Sequence, residues 1–150
     1  MTDVGSRPLP VPDEQSAPFW EAAARGHLVL ARCARCSAVV HPPAPVCPAC
    51  GSTEPSYAFE PVDGPGTVRS WTVLRQSSLP GFADDLPIVL VDVALDLGDD
   101  ERDGGGDEVR LIGRLVDGLD APLRVGASVT VAFEHLAEGT AVPAFALVPR

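Results

Sequence analysis

The stretch that decides the fold runs from residue 33 to residue 50, where Cys33-Ala34-Arg35-Cys36 and Cys47-Pro48-Ala49-Cys50 are separated by ten residues. These are all four cysteines of the 150-residue chain. Two residues between paired cysteines let a tight turn direct both sulfurs at one ion, and two such turns complete a tetrahedral shell. Gly51 follows the last cysteine, where the chain has to bend sharply. Cys33, Cys36, Cys47 and Cys50 are therefore predicted to hold a metal ion in a structural site.

Zinc is the expected ion, because thiolates are soft ligands and a closed shell of four leaves no position for water or substrate. A rubredoxin-type iron site has the same ligands, so spacing alone does not separate iron from zinc. Two disulfides are the third interpretation. They usually accompany a secretory signal, and residues 1–30 have neither a basic start nor an apolar core of that kind.

The charge is strongly negative, with eleven arginines, no lysine and twenty-one acids giving a net charge of −10. Residues 96–108 alone contribute −6. We expect residues 99–108 of this segment to form a solvated loop at a hairpin tip. No apolar run reaches the length of a membrane span, so we expect a protein without membrane segments that resides in the cytoplasm with reduced thiols.

The first third of the chain is predicted to form a mobile tail over residues 1–12 and a helix with a zinc ribbon over residues 13–55. The helix is placed at Asp13 to Arg25, with Asp13 as the N-cap, Phe19 and Trp20 on a packing face, and Gly26 as the stop. Short strands at residues 27–32 and 38–41 flank the first cysteine turn.

The remainder, residues 56–150, is predicted to be a five-stranded OB-fold barrel, because it alternates Val-, Leu- and Thr-rich runs with turns of Gly, Pro and Asp. The chain is thus mainly β, with an N-terminal helix and a rubredoxin-like zinc ribbon before the barrel. The five strands are placed at residues 66–76, 87–97, 109–116, 128–134 and 141–148.

A zinc ribbon and an OB fold are both common in nucleic-acid-binding proteins, but the charge argues against that function. A single-strand binder needs a basic groove with exposed aromatic side chains, and this chain is acidic with few aromatics. Catalysis is also not indicated. All four thiols are assigned to the metal, there is no G-x-S-x-G motif, and His27, His41 and His135 lie on predicted strands or at their ends.

Several stretches together resemble one bacterial and archaeal family, the zinc-ribbon plus OB-fold family long called domain of unknown function thirty-five. The stretches follow in the family's order: Phe19-Trp20-Glu21, the four cysteines, Gly66 to Thr72, Pro80-Gly81-Phe82, Leu111 to Asp117, and Val125-Gly126 through Val131 to Glu134. The resemblance covers residues 13–150. The sequence departs from it at Ile88, where many members have an aromatic residue, and in its longer acidic insertion.

The resemblance implies a non-catalytic accessory subunit that binds a thiolase-fold enzyme, either a thiolase or a lipid-transfer-protein-like aldolase that shortens steroid or acyl side chains. The barrel is then expected to help form a channel for the acyl-CoA substrate in a hetero-oligomer, while the partner supplies the catalytic groups. The alternative is a stand-alone acyl-CoA-binding protein. A lone binder of a polyanion should carry a dense basic pocket, whereas the arginines here are scattered.

Two sets of residues are candidates for binding the partner or acyl-CoA. Leu79, Pro80, Gly81 and Phe82 form a loop between the first two barrel strands. Its Phe82 is expected either to reach toward the partner or to fold back over the barrel. Arg25, near the ribbon with Arg32 and Arg35, is a candidate for the phosphates of coenzyme A, whereas Arg32 and Arg35 adjoin metal ligands and are expected to screen the thiolates.

Overall fold

The computed structural model describes residues 6–98 and 108–149, and all structural statements below refer to these residues. They form one α-helix, α1, a short 3-10 helix at Ala83–Asp85, and eight strands, β1 to β8. The bounds are α1 Ala17–Ala24, β1 Val29–Cys33, β2 Val39–Val40, β3 Tyr57–Pro61, β4 Gly66–Leu74, β5 Ile88–Leu95, β6 Arg110–Leu115, β7 Ser128–Ala137 and β8 Thr140–Leu147. Over this part of the chain no helix is both long and apolar enough to cross a membrane.

Helix α1 is shorter than predicted because a turn precedes it. Asp13 is not the N-cap, which is Ser16. Instead, the Asp13 carboxylate accepts hydrogen bonds from the backbone N–H of Ser16 at 2.7 Å and from its hydroxyl at 2.6 Å, which fixes the turn before the helix. The helix ends as predicted, since Gly26 has φ +77°, a conformation that glycine adopts without strain. Phe19, Ala22 and Ala23 are buried along one face.

The ribbon contains a three-stranded antiparallel sheet in the order β2-β1-β3. Strand β3 was not predicted. It runs antiparallel to the whole of β1, from Val29 opposite Pro61 to Cys33 opposite Tyr57. The predicted boundary between ribbon and barrel, after residue 55, stays a prediction. Strand β3, which follows this boundary, completes the ribbon sheet.

The five predicted barrel strands are confirmed as β4 to β8. They close in the order β4-β5-β6-β8-β7, with β7 returning to β4 through the pairs Gly66–Val129 and Thr67–Ser128. Neighbouring strands are antiparallel except β6 and β8, which are parallel. This is the small closed barrel that the sequence predicts, and closure leaves no long unpaired edge.

The core lies inside the barrel and continues under the helix and the ribbon. Its fully buried side chains include Phe145, Leu115, Val68, Val91, Val93 and Val129. Phe19 of α1 and Leu28 and Leu30 at the start of the ribbon belong to the same cluster. Burying one such side chain stabilises the fold by about 1.5 to 3 kcal/mol, so the shared core fixes α1 and β1 against the barrel.

The predicted mobile tail and the predicted solvated loop both fall partly outside the described residues. Of the predicted mobile tail, residues 6–12 are described and form no helix or strand, and Arg7 in this segment is bonded to Glu134 of the barrel strand β7. Of the predicted acidic loop, only Glu108 is described. Its carboxylate accepts a hydrogen bond from Arg69 Nε at 3.0 Å.

Candidate functional site

The four cysteines meet in one cluster, as predicted. Their sulfur atoms all lie within 4.8 Å of one another, with Cys33 Sγ 4.0 Å from Cys50 Sγ and Cys36 Sγ 3.8 Å from Cys47 Sγ. Four sulfurs at a Zn–S distance of about 2.3 Å form a tetrahedron with edges of about 3.8 Å, so the cluster has the size of a zinc site. A disulfide needs sulfurs about 2.05 Å apart, and all four thiols are free.

Backbone amides prepare these sulfurs for a cation. The N–H of Cys50 is directed at the Cys47 sulfur and, with that of Ala49 and against the effect of burial, lowers the pKa of the Cys47 thiol to about 7. The N–H of Ala38 acts in the same sense on Cys36, but burial and the three neighbouring sulfurs raise its pKa to about 11. Four adjacent thiols cannot all ionise unless a positive ion compensates them, and a dication does so.

The two cysteine turns are held by their own hydrogen bonds. The N–H of Ser37 donates to the carbonyl of Cys33 at 2.8 Å, and that of Gly51 donates to the carbonyl of Cys47 at 2.9 Å. Gly51 has φ +71°, as the bend after the last ligand requires. The site is closed and built from thiolates, so a zinc ion there is structural.

The three arginines near the ribbon differ in their surroundings. Arg32 extends across the sheet, where its Nε donates to the Glu60 carboxylate at 2.7 Å and its guanidinium donates to the carbonyl of Ser37 at 2.7 Å. Arg35 and Arg25 are exposed. Arg32 therefore holds the first cysteine turn and β3 together.

A second feature is an apolar cleft of about 520 Å³ between α1 and the outer face of the barrel. Leu90 is the register partner of Arg114 across β5 and β6, so the two share a face, and Ile112 lies two residues along on the same face. These strands form the floor of the cleft. Phe19 and Trp20 of α1 and the chain at residues 41–43 form one wall, and the loop after β4 forms the other.

The histidine in the wall of the cleft is His41. Its ring packs against Phe19, with 5.1 Å between the ring centroids. Burial lowers the pKa of His41, so the imidazole is neutral at neutral pH and the wall carries no charge there. The charges in the cleft are limited to one edge, at Arg7, Arg114 and Glu134.

The structure brings together only some of the residues predicted to bind the partner or acyl-CoA. Leu79 and Phe82 line the cleft, and Leu79 is 57 % exposed at its rim whereas Phe82 is half-buried. Pro80 is exposed and Gly81 is half-buried in the same loop. Arg25, at the end of α1, is not among the described residues that line the cleft.

Sequence reasoning missed Arg7, Arg114, Glu134 and Ile112. Arg114 and Glu134 lie in stretches that carry the family resemblance, and a charged residue within an apolar strand is a signal that can be read from sequence. Ile112 is 66 % exposed, which is unusual for a β-branched apolar residue on a barrel strand. Arg7 had no such signal, because residues 1–12 show no apolar periodicity.

Comparison with known proteins agrees with this architecture. Residues 20–56 match the family model described as ChsH2, rubredoxin-like zinc ribbon domain, and residues 59–134 match that described as ChsH2, C-terminal OB-fold domain. The first of these models supports zinc over iron for the four-cysteine site.

One curated relative and one solved structure are similar to the chain. A protein of Thermomonospora curvata named probable enoyl-CoA hydratase alpha subunit is 37 % identical over 91 residues, which are 59 % of this chain. The match covers only 27 % of that protein, about a quarter of its length. A solved structure named Ltp2-ChsH2(DUF35) aldolase is 28 % identical, with a TM-score of 0.73 over 92 % of this chain and 98 % of the matched chain.

The two family models cover the ribbon and most of the barrel in the order in which the structure shows them, and the similar solved chain is covered almost completely. The chain therefore belongs to the ChsH2-type zinc-ribbon plus OB-fold family, the domain of unknown function thirty-five.

Proposed function

We propose that the protein is a non-catalytic accessory subunit that binds a thiolase-fold enzyme and contributes a wall to its acyl-CoA channel. The observation that carries this proposal is the similarity to the aldolase structure named for two components, Ltp2 and ChsH2, over 92 % of this chain. The curated relative, named as an alpha subunit, is a second protein whose name describes part of an assembly.

The chemistry of the chain supports a role without catalysis. All four thiols belong to the metal site, which is closed to substrate. The cleft presents a neutral histidine and apolar side chains, and the ionisable groups at its edge are paired with one another. The partner then supplies the nucleophile and the general base.

The cleft supports the acyl part of the proposal. Its volume of about 520 Å³ lies within the range of about 300 to 1,000 Å³ that is usual for ligand pockets. Its floor and both walls are mainly aliphatic and aromatic, which suits a hydrocarbon group and not a phosphate or a nucleobase. The exposed Leu79 and Ile112 lie at its open side, where a partner surface would bury them.

The second candidate function is a stand-alone acyl-CoA-binding protein. It is favoured by one observation, that residues of this chain line an apolar cleft of about 520 Å³. Titration of the isolated chain with palmitoyl-CoA separates the two functions. Binding as tight as that of the complex supports the stand-alone function, and binding that requires the partner supports the accessory function.

Leu79→Asp is expected to weaken binding to the partner enzyme by about tenfold or more, because an exposed apolar side chain at the rim of the cleft is replaced by a charge. Val125→Asp is the matched control, since Val125 is 60 % exposed and does not line the cleft. Surface plasmon resonance with the immobilised partner enzyme measures the affinity of each variant. Equal affinities of the two variants would show that the loop is not part of the interface.

Arg25→Ala is expected to lower the affinity of the complex for acyl-CoA by about tenfold, because Arg25 is exposed and is proposed to meet a phosphate. Arg124→Ala, an exposed arginine in the turn before β7, is the control. Calorimetric titration of both complexes with the same thioester tests this. Unchanged affinity in Arg25→Ala excludes its phosphate role and leaves the subunit assignment standing.

A further inference from the structure

One side chain of the N-terminal segment, Arg7, lies over an edge of the cleft. Its guanidinium is bonded to the carboxylates of Asp85 and Glu134, and its Nε donates to the carbonyl of Gly81 at 3.1 Å. Its central carbon lies 4.7 Å from the centroid of the Phe82 ring. A single residue, only 16 % exposed in its side chain, thus ties the loop after β4 to strand β7.

A second arginine completes the arrangement. Arg114 of β6 donates to the Glu134 carboxylate at 3.1 Å and lies 4.0 Å from that of Asp85. Two cations alternate with two carboxylates, so the group is electrically neutral and connects the tail, the loop and two barrel strands. Asp85 belongs to the loop and Glu134 to the barrel, so Arg7 and Arg114 both bridge the two.

The loop has few other polar anchors among the described residues. The remaining hydrogen bonds described for residues 77–86 are internal to it, from the N–H of Leu79 to the Ser77 hydroxyl and from the N–H of Asp85 to the Phe82 carbonyl. The described polar contacts that hold the loop on the barrel are thus those of Arg7 and Arg114. The carboxylates of Asp85 and Glu134 are 39 % and 24 % exposed, so solvent partly screens these ion pairs and lowers the free energy needed to separate them.

We propose that Arg7 is a latch that holds the loop of residues 79–86, with Phe82, in place as one wall of the apolar cleft, and that release of Arg7 frees this wall and widens the cleft for its ligand. The latch lies outside the two ranges that match the family models, residues 20–56 and 59–134. The inference rests on the proposed function only for what the cleft takes in. An apolar ligand is the chemical class that its lining fits.

Hydrogen–deuterium exchange of the full-length chain tests the first half of the proposal. Arg7→Ala is expected to speed amide exchange in residues 79–86 about tenfold, because it removes two ion pairs, a hydrogen bond and the stacking on Phe82. Arg7→Lys keeps the positive charge but lacks the planar guanidinium, and its exchange rate in this loop is expected to lie between those of the wild type and Arg7→Ala. Arg69→Ala, which removes the ion pair with Glu108, is the matched control and should leave this loop unchanged.

The second half is tested by stopped-flow binding of 1-anilinonaphthalene-8-sulfonate, a dye that fluoresces in apolar cavities. The association rate should rise about tenfold in Arg7→Ala and stay unchanged in Arg69→Ala, in parallel with loop exchange. Unchanged exchange in Arg7→Ala overturns the latch, and faster exchange with an unchanged dye rate overturns its control of the cleft. Both measurements use the chain alone, so failure to find a partner enzyme would not affect them.

Discussion

Cys47→Ser is expected to abolish stoichiometric metal binding and unfold residues 33–56, while the barrel keeps its fold. The buried residues of the ribbon cluster are Cys33, Val40 and Cys47, so two of the three are metal ligands and the ribbon has almost no apolar core of its own. A structural zinc contributes about 10 to 16 kcal/mol in zinc-finger peptides, which is as large as the stability of a whole domain. Loss of one buried ligand removes most of that contribution.

Metal content by mass spectrometry and amide exchange by residue measure this effect. Ser56→Ala, an exposed hydroxyl in the same ribbon, is the control and should bind one zinc per chain. Wild-type protein should also lose protection over residues 33–56 when a strong chelator removes the metal. A Cys47→Ser protein with full zinc content and native exchange in the ribbon would refute a structural metal site.

Gly66→Ala is expected to destabilise the barrel by about 3 kcal/mol, because a Cβ at this position meets other side chains. It would lie 2.2 Å from Val93 Cγ1 and 3.3 Å from Val129 Cγ2. Gly66 pairs with Leu95 of β5 and with Val129 of β7, so it stands where β4 closes the barrel. To relieve the clash, β4 has to move away from β5 and β7. This movement exposes the core side chains Val93 and Val129, which are fully buried.

Chemical denaturation followed by tryptophan fluorescence gives the free energy of unfolding. Thr67→Ala, at the adjacent and half-buried position of β4, serves as the control and should cost less than about 1 kcal/mol. A Gly66→Ala protein as stable as this control would show that the barrel does not need glycine at its closure.

The parts of the fold that local chemistry determines were predictable. The four cysteines with their spacing determine the metal site, and alternating apolar residues determine the five barrel strands. Gly26 ended the helix where predicted. The predicted start of the helix was wrong, because Asp13 bonds to Ser16 in a turn that precedes the helix. Both Asp13 and Ser16 are good N-cap residues, and the sequence does not decide between them.

Strand β3 and the cleft were not predictable for a different reason. Tyr57–Pro61 is short and ends in proline, and it is a strand because β1 offers it a partner. The cleft is formed by α1, the chain near His41 and the outer faces of several strands, which are distant in sequence. Arg7 acts through carboxylates 78 and 127 residues away, so no local pattern marks it.

The position of Phe82 bears on the two expectations for its loop. Its ring is half-buried, lines the cleft and lies under Arg7, which supports the folded-back position. Leu79, three residues earlier, is the exposed apolar side chain of the loop. Both residues line the cleft, Phe82 half-buried and Leu79 exposed at the rim, and a partner is proposed to bury Leu79.

The central claim, that this chain is a subunit of a thiolase-fold enzyme, is tested most directly by purification of the tagged protein from its native host under mild conditions. Mass spectrometry identifies the co-purifying chains, and light scattering gives the molar mass of the complex. The account predicts a thiolase-fold enzyme in a fixed ratio to this chain. A stable monomer of 15.6 kDa without a partner, or a peak that contains nucleic acid in place of an enzyme, would contradict it.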